Sequence, residues 1–303
     1  MSWLVFAFSG PVLWAISTHF DKYLVEKYFK QSDVTVLLVF TAFFGVLTLP
    51  VIALCEPAAI VSPAPGSIAL IVLSGVLYMG AMLFYLRALQ SEEASVVAPF
   101  FQAVPLFGYV LAYFVLGETL SLLQMAGGAL IIVGTMIVSM RIDQAARVFK
   151  WRPAMLMLAC RFAAALSGLI FKVFAIKVEF WTTTFWMFVG EAIFGAALLS
   201  IGSYRRQLAA MLRTNTAALL TINGSNELIN LGGGLGNRYA LMLAPLSIVQ
   251  AISSTTTLFV FAFGVALSVL FPRLARETLS VRDLVQKGIA ALFVAAGVAL
   301  VTH

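Results

Sequence analysis

Charged side chains are scarce in this sequence, at 11% of 303 residues, against about 25% in an ordinary soluble domain. Histidine and cysteine are scarcer still, with two of each. His19 and His303 cannot furnish a zinc motif of the H-E-x-x-H type, and neither a G-x-S-x-G nucleophile turn nor a Walker lysine occurs. Metal chemistry, a catalytic nucleophile and a self-contained ATP-driven pump therefore find no footing, and no cofactor is expected. Cys55 and Cys160 lie too far apart for a C-x-x-C site and read as buried or idle thiols.

Apolar residues take the place of the missing charge. They make up 62% of the chain, more than one globular core can bury, so the solvent for most of the protein is lipid. A membrane span needs about 20 largely apolar residues. Ten such stretches fit, at 3–21, 34–54, 67–89, 94–116, 120–140, 153–175, 181–202, 216–237, 245–271 and 283–302. The longest polar gaps lie near 141–152 and 203–215, so function must reside among the helices. Met1 to Ala15 lacks the basic start and small-residue cleavage site of a secretory signal and reads as a retained first helix.

The net charge of +6 is spread over short loops with no basic domain, which argues against a nucleic-acid partner. Its distribution speaks instead of orientation. Alternate loops hold Lys22, Lys27, Lys30, Arg87, Arg141, Arg147, Lys150, Arg152, Arg205, Arg206, Arg213, Arg273, Arg276 and Arg282, while the other set holds little beyond Lys177 and Arg238. Short loops rich in Lys and Arg stay cytoplasmic. Both termini are then expected on the non-cytoplasmic side of a cell (inner or plasma) membrane.

The sequence repeats itself. Glu118-Thr119-Leu120-Ser121 returns as Glu277-Thr278-Leu279-Ser280, each just before the last stretch of its half. Ser17 and Lys22 match Ser167 and Lys172, 150 residues on. Ala88-Leu89, Ser95 and Leu106-Phe107 match Ala240-Leu241, Ser247 and Leu258-Phe259, 152 residues on. The offset grows to 159 at the second Glu-Thr-Leu-Ser, which places an insertion of about seven residues around Phe271 to Arg276. The halves are 1–146 and 147–303. With five spans each, an odd number, the second half enters the membrane from the opposite side, giving inverted repeats and favouring alternating access.

These residues also resemble a known family, the drug/metabolite transporter superfamily in its EamA branch of two five-helix repeats. The resemblance rests on Trp14-Ala15-Ile16-Ser17 with Lys22, on Tyr85-Leu86-Arg87-Ala88-Leu89, and on the run from Ala94 to Gly134 carrying Pro105, Gly117-Glu118-Thr119-Leu120-Ser121, Gly128 and Gly134. It covers nearly the whole chain. The connection Glu56 to Gly66 departs from the usual pattern by lacking arginine, and Arg276 stands where a glycine normally precedes the second Glu. The resemblance implies an exporter or exchanger of metabolites, amino acids, drugs or nucleotide sugars. It also implies a central pathway lined by the first, third, fourth, sixth, eighth and ninth stretches.

Polar residues inside such stretches must find a partner or water, so their pattern is informative. In the eighth stretch Asn223, Asn226, Glu227, Asn230 and Asn237 recur at spacings of 3, 4 and 7, a band along one face. Such a band either contacts a polar substrate, with Glu227 supplying charge or a proton, or glues helices together through its amides. Gly232-Gly233-Gly234 and Gly236 beside it suggest a bend or close packing rather than a phosphate loop. Arg161, Gly168 and Lys172 fall broadly on one face; Glu191, Glu227 and Arg161 are expected to pair or line water, and one carboxylate left desolvated and unpaired offers a basis for proton coupling.

The fourth and ninth stretches carry corresponding polar faces, with Ser95, Gln102, Tyr109 and Tyr113 in one and Ser247, Gln250, Ser254 and Thr257 in the other. Trp14, Tyr78, Tyr85, Trp186 and the fourth-stretch tyrosines suit either an aromatic wall for apolar or cationic ligands or plain packing. His19 reads as an interfacial side chain. Gly127, Gly128 and Gly134 permit close packing, within a protomer or between protomers of a homo-oligomer. The two Glu-Thr-Leu-Ser segments read as devices that satisfy backbone groups at a helix start.

The expected substrate-binding set is Trp14, Tyr78, Tyr85, Gln102, Tyr109, Asn223, Glu227, Asn230, Gln250 and Ser254. The expected coupling or ion-pair set is Glu191, Glu227, Arg161 and Lys172. The expected partners are membrane lipid and a small polar or amphipathic molecule moved by secondary transport. Other readings are a flippase for a lipid-linked group and a membrane-embedded enzyme.

Overall fold

Apolar runs this long bury their backbone polar groups by coiling into helices, the only open-chain solution available in lipid. The computed structural model describes residues 2–28, 35–60, 63–91, 98–139, 151–270 and 281–302. The start of the fourth stretch with Ser95, the cations between 141 and 150, the expected insertion at 271–276, the second Glu-Thr-Leu-Ser and the side chains of Lys22, Lys27 and Lys30 lie outside the described residues.

The helices run α1 Ser2–Tyr28, α2 Thr35–Cys55, α3 Pro65–Ser91, α4 Ala103–Leu116, α5 Leu122–Ser139, α6 Trp151–Lys177, α7 Phe180–Ser200, α8 Gly202–Ala218, α9 Gly224–Leu243, α10 Leu246–Ser253, α11 Thr256–Leu270 and α12 Val281–Val301. A 3-10 turn over Pro57–Ile60 follows α2, another over Ala98–Gln102 leads into α4, and a π turn over Leu219–Asn223 joins α8 to α9. Among the described residues six helices are long and apolar enough to cross a membrane, and Phe100–Leu116, Leu122–Ile137 and Val285–Val301 are shorter apolar helices.

Two elements differ from the sequence reading. The polar gap near 203–215 is helical, because Tyr204, Leu208, Met211 and Leu212 recur on one face of α8 and pack on Leu24, Val36 and Phe40. The ninth stretch is two helices broken at Ser254-Thr255, where the hydroxyls of Ser253, Ser254 and Thr255 bond the carbonyls of Val249, Ala251 and Ile252. Side chains that satisfy local carbonyls in this way compete with the helical ladder.

Packing divides the chain into two compact units, each drawing on both halves of the sequence. Unit 1 comprises Met1–His19, Glu92–Met155 and Ile229–His303, and unit 2 comprises Phe20–Ser91 and Leu156–Leu228. In unit 1, α5 and α12 pack antiparallel. A methyl group built on Gly127 would meet the Gly297 carbonyl, one built on Gly297 would meet the Gly127 carbonyl, and Gly134 lies against Ala290 and Phe293. Gln286 donates to the Ile137 carbonyl at the other end of this contact. The glycines thus serve packing within the chain.

The glycine run of α9 serves packing too. Gly233 receives Leu13 and Trp14 of α1, Gly232 receives Leu13, and Gly236 receives Ser9, along a helix that continues unbroken to Leu243. At the end of α4, Gly117 takes φ 65, a left-handed conformation that suits glycine, and its N–H bonds the Tyr113 carbonyl. Ser121 and Gln124 then form a reciprocal capping box, with Ser121 N–H donating to Gln124 Oε1 at 3.0 Å and Gln124 N–H donating to Ser121 Oγ at 3.2 Å. Glu118 reaches further, accepting from the Leu246 N–H at 3.0 Å and so capping the start of α10.

In unit 2, α7 sits against both α2 and α3. Gly75 and Gly190 face each other's helix backbones, so α3 and α7 touch main chain to main chain. Gly45 leaves room for Phe188 and Glu191, while Gly195 sits on Ala42. Glu179 caps α7 by accepting from the Thr182 N–H at 2.8 Å.

Candidate functional site

Charge placed among apolar helices costs about 2.5–3.5 kcal/mol per residue at the bilayer centre on insertion scales, so each buried ion calls for a compensating neighbour. Unit 2 contains several. Arg161, in the middle of α6, is 4% exposed, and its guanidinium lies over the Tyr85 ring of α3 at 5.6 Å from the centroid. Its Nη2 donates to Cys160 Sγ at 3.0 Å, and the Cys160 thiol donates to the Ala81 carbonyl at 3.0 Å. A cation over an aromatic face is worth roughly 0.5–2 kcal/mol, which fixes Tyr85 as part of an electrostatic assembly rather than as an open ring.

Lys172 and Glu191 are also buried in this unit. Glu191 lies beside the space left by Gly45, 3.7 Å from where a Gly45 Cβ would stand. Tyr78 is half-buried and packs against the cluster of Leu38, Val39, Ala42, Met79 and Leu198.

The first turn of α9 completes the polar interior of unit 2. Glu227 is buried and accepts from Thr41 Oγ1 of α2 at 2.9 Å. Asn226 Nδ2 donates to Asp21 Oδ1 of α1 at 2.6 Å. Asn223, one turn earlier, is buried with neither amide atom hydrogen-bonded. The π turn ends at Asn223 and sets the register of all three. Asp21 was not in the expected set. The available signal was spacing, since Trp14, Ser17 and Asp21 fall at intervals of 3 and 4 and share a face of α1.

Unit 1 has a different chemistry, mostly amide and hydroxyl, with Arg238 its buried cation among the described residues. Gln102 is buried with neither amide atom bonded. Gln250 is buried with Oε1 unbonded, and it occupies the space above Gly108 that any side chain there would take. Ser253 Oγ donates to Asn237 Oδ1 at 2.6 Å, and Ser254 Oγ lies 3.4 Å from Thr135 Oγ1. His19 Nε2 donates to the Val260 carbonyl at 3.0 Å, a tie between α1 and α11. Trp14 nests against Gly10 and Gly233. Tyr109 is half-buried, its ring 6.4 Å from that of Tyr113, and Asn230 is half-buried.

The expected residues thus separate. Tyr78, Tyr85, Arg161, Lys172, Glu191, Asn223 and Glu227 belong to unit 2, whereas Trp14, Gln102, Tyr109, Asn230, Gln250 and Ser254 belong to unit 1. The described residues contain no group of three or more His, Cys, Asp or Glu able to hold a metal ion.

Multiple apolar helices with buried amides and charges define a multi-pass membrane protein with a polar interior, the class to which transporters belong. Residues 1–140 match the model of the EamA-like transporter family, so the first half of the chain is similar to that family. One crystal structure of a protein 16% identical aligns with a TM-score of 0.69, covering 99% of this chain and 96% of that one, and so shares its fold. A search of curated proteins finds no match.

Proposed function

We propose that the protein is a secondary transporter, an exporter or exchanger of a small polar or amphipathic metabolite or drug. It works by alternating access between two inverted five-helix repeats, residues 1–146 and 147–303. The observation that carries this reading is that helices related by the sequence repeat pack on each other antiparallel, about matching points. Gly45 and Gly195 stand 150 residues apart, and each sits at the contact of α2 with α7. The 159-residue offset carries the middle of the 127–137 stretch onto the middle of the 286–297 stretch, where α5 meets α12.

A two-fold axis lying in the membrane plane has this signature, because it maps a helix onto an antiparallel copy crossing it at the equivalent residue. Gln102 and Ser254 are 152 residues apart, and each marks an interruption, the passage from a 3-10 turn to α4 in one case and the break between α10 and α11 in the other. Interrupted helices at corresponding positions of two halves point to the binding region of such transporters. The unbonded amides of Gln102 and Gln250 and the Asn237–Ser253 pair suit a cargo with hydrogen-bonding groups, and the charges of unit 2 suit coupling.

The test is a thermal-shift screen of purified protein against metabolites, amines and drugs, followed by flux of each hit in proteoliposomes. A cargo that binds the native state raises its apparent stability and is moved across the bilayer. If hits bind but none is transported, and lipid-linked substrates are, the flippase reading replaces this one.

A further inference from the structure

The carboxylate of Asp21 sits at the C-terminal end of the apolar window Trp3–Asp21, and its one bonded partner among the described residues is the Asn226 amide. No cationic side chain among them bonds it. That pairing satisfies only half of the amide: Asn226 Oδ1 is buried and unbonded, though it belongs to the same planar group that touches the carboxylate. Asn223, at i−3 on the same face of the helix, adds a second buried amide with both atoms unbonded. Asn223 and Asn226 are each 1% exposed. Buried polar atoms are seldom left without partners in a finished fold.

The backbone at this point is irregular as well. The π turn Leu219–Asn223 ends on the first of these amides, and such turns are costly to a helix and persist mostly at functional positions. A half-buried carboxylate bonded to one of two buried amides, two amide oxygens lacking donors and a locally widened helix occur together within unit 2.

We propose that Asp21, Asn223 and Asn226 form a binding site for a small monovalent cation, either an alkali ion or an ammonium group. The donors are all oxygens, which favours hard cations. The single carboxylate balances one positive charge and would leave a divalent ion half-neutralised. Ion sites in secondary transporters are built in this manner, where helix regularity fails beside a carboxylate.

The experiment is binding to the purified full-length protein, so it requires no transport and no knowledge of the cargo. Unfolding temperatures are measured at fixed pH in lithium, sodium, potassium and ammonium chloride, against choline chloride at equal ionic strength, with direct binding of radiolabelled sodium alongside. The expected result is a saturable rise with at least one small cation, which follows from selective binding to the folded state. Asp21→Asn and Asn223→Leu should each weaken the apparent affinity roughly tenfold or more. The alkali and ammonium arms tell a bound ion from the ammonium head of a cargo.

If neither the unfolding temperature nor direct binding responds to any of the four cations, the amides hold only water and the proposal fails. It fails equally if both variants keep the wild-type response. Should Asp21→Asn not fold, Asn223→Leu, which retains the carboxylate, carries the comparison. A negative outcome leaves the transporter reading intact, since an uncoupled carrier needs no such site.

Discussion

Gly127 and Gly297 face each other so closely that a methyl group on either would run into the carbonyl oxygen of the other. Helices in lipid gain little from burying apolar surface and hold together by close backbone approach. Alanine at either position should therefore cost about 1–3 kcal/mol, the usual penalty of overpacking. Gly234 and Gly288, which have nothing within 4 Å of an added Cβ, should accept alanine without loss. Thermal unfolding of the four variants in detergent checks the contrast, and equal behaviour would refute the close contact of α5 with α12.

Glu118 caps a helix that begins well over a hundred residues further along the chain. Glu118→Ala should lower stability by about 1 kcal/mol, or roughly 2–4 °C in unfolding temperature for a protein of this size. Glu118→Gln should recover part of the loss, because an amide oxygen still accepts from the Leu246 N–H. A silent Glu118→Ala variant would mean that water serves the α10 terminus equally well.

Glu227 and Asn230 separate chemistry from scaffolding. Glu227→Gln keeps the shape and an acceptor for Thr41 but removes the charge, and Asn230→Ala removes one amide from a half-buried position. Both proteins should remain folded and monodisperse, while transport of an identified cargo falls about tenfold, the equivalent of one hydrogen bond to a charged group. Unfolding of both variants would assign the α9 band to helix adhesion.

Orientation is open to a chemical test. Cys55, at the end of α2, is exposed, and Cys160 is buried. A membrane-impermeant maleimide applied to intact cells should label Cys55 alone, since loop charge puts the connection after α2 on the non-cytoplasmic side. Labelling that appears only after permeabilisation would invert the topology.

The elements most legible in the sequence were those written in local pattern. Long apolar runs, the helix-start device at Glu118–Ser121 and the glycines of α9 need only neighbours a few positions away, or a packing surface of any kind. Asp21 falls near the expected end of the first stretch, which left its role open in the sequence, and its partner Asn226 lies 205 residues along the chain, so nothing local announces the pairing. The α8 helix was hidden by its low hydropathy, although Tyr204, Leu208, Met211 and Leu212 carry a helical stripe. The break at Ser254 was hidden in the opposite way, because hydrophobicity runs straight through it while hydroxyls reroute the hydrogen bonds. The gathering of Arg161, Lys172, Glu191 and Glu227 into one unit depends on which helices meet, and no window of sequence contains that.

The turn Leu219–Asn223 closes its ring with one residue more than its neighbours in α8 and α9 use. In effect the helix carries a single-residue insertion. Each residue of an α-helix subtends about 100°, so were the extra residue not absorbed by this widened turn, α9 would be rotated against α8 by nearly a third of a turn. With α8 anchored on Leu24 and Phe40, the rotation would swing Asn226 and Glu227 away from Asp21 and Thr41. The polar band of α9 thus owes its address to a counting irregularity upstream of it.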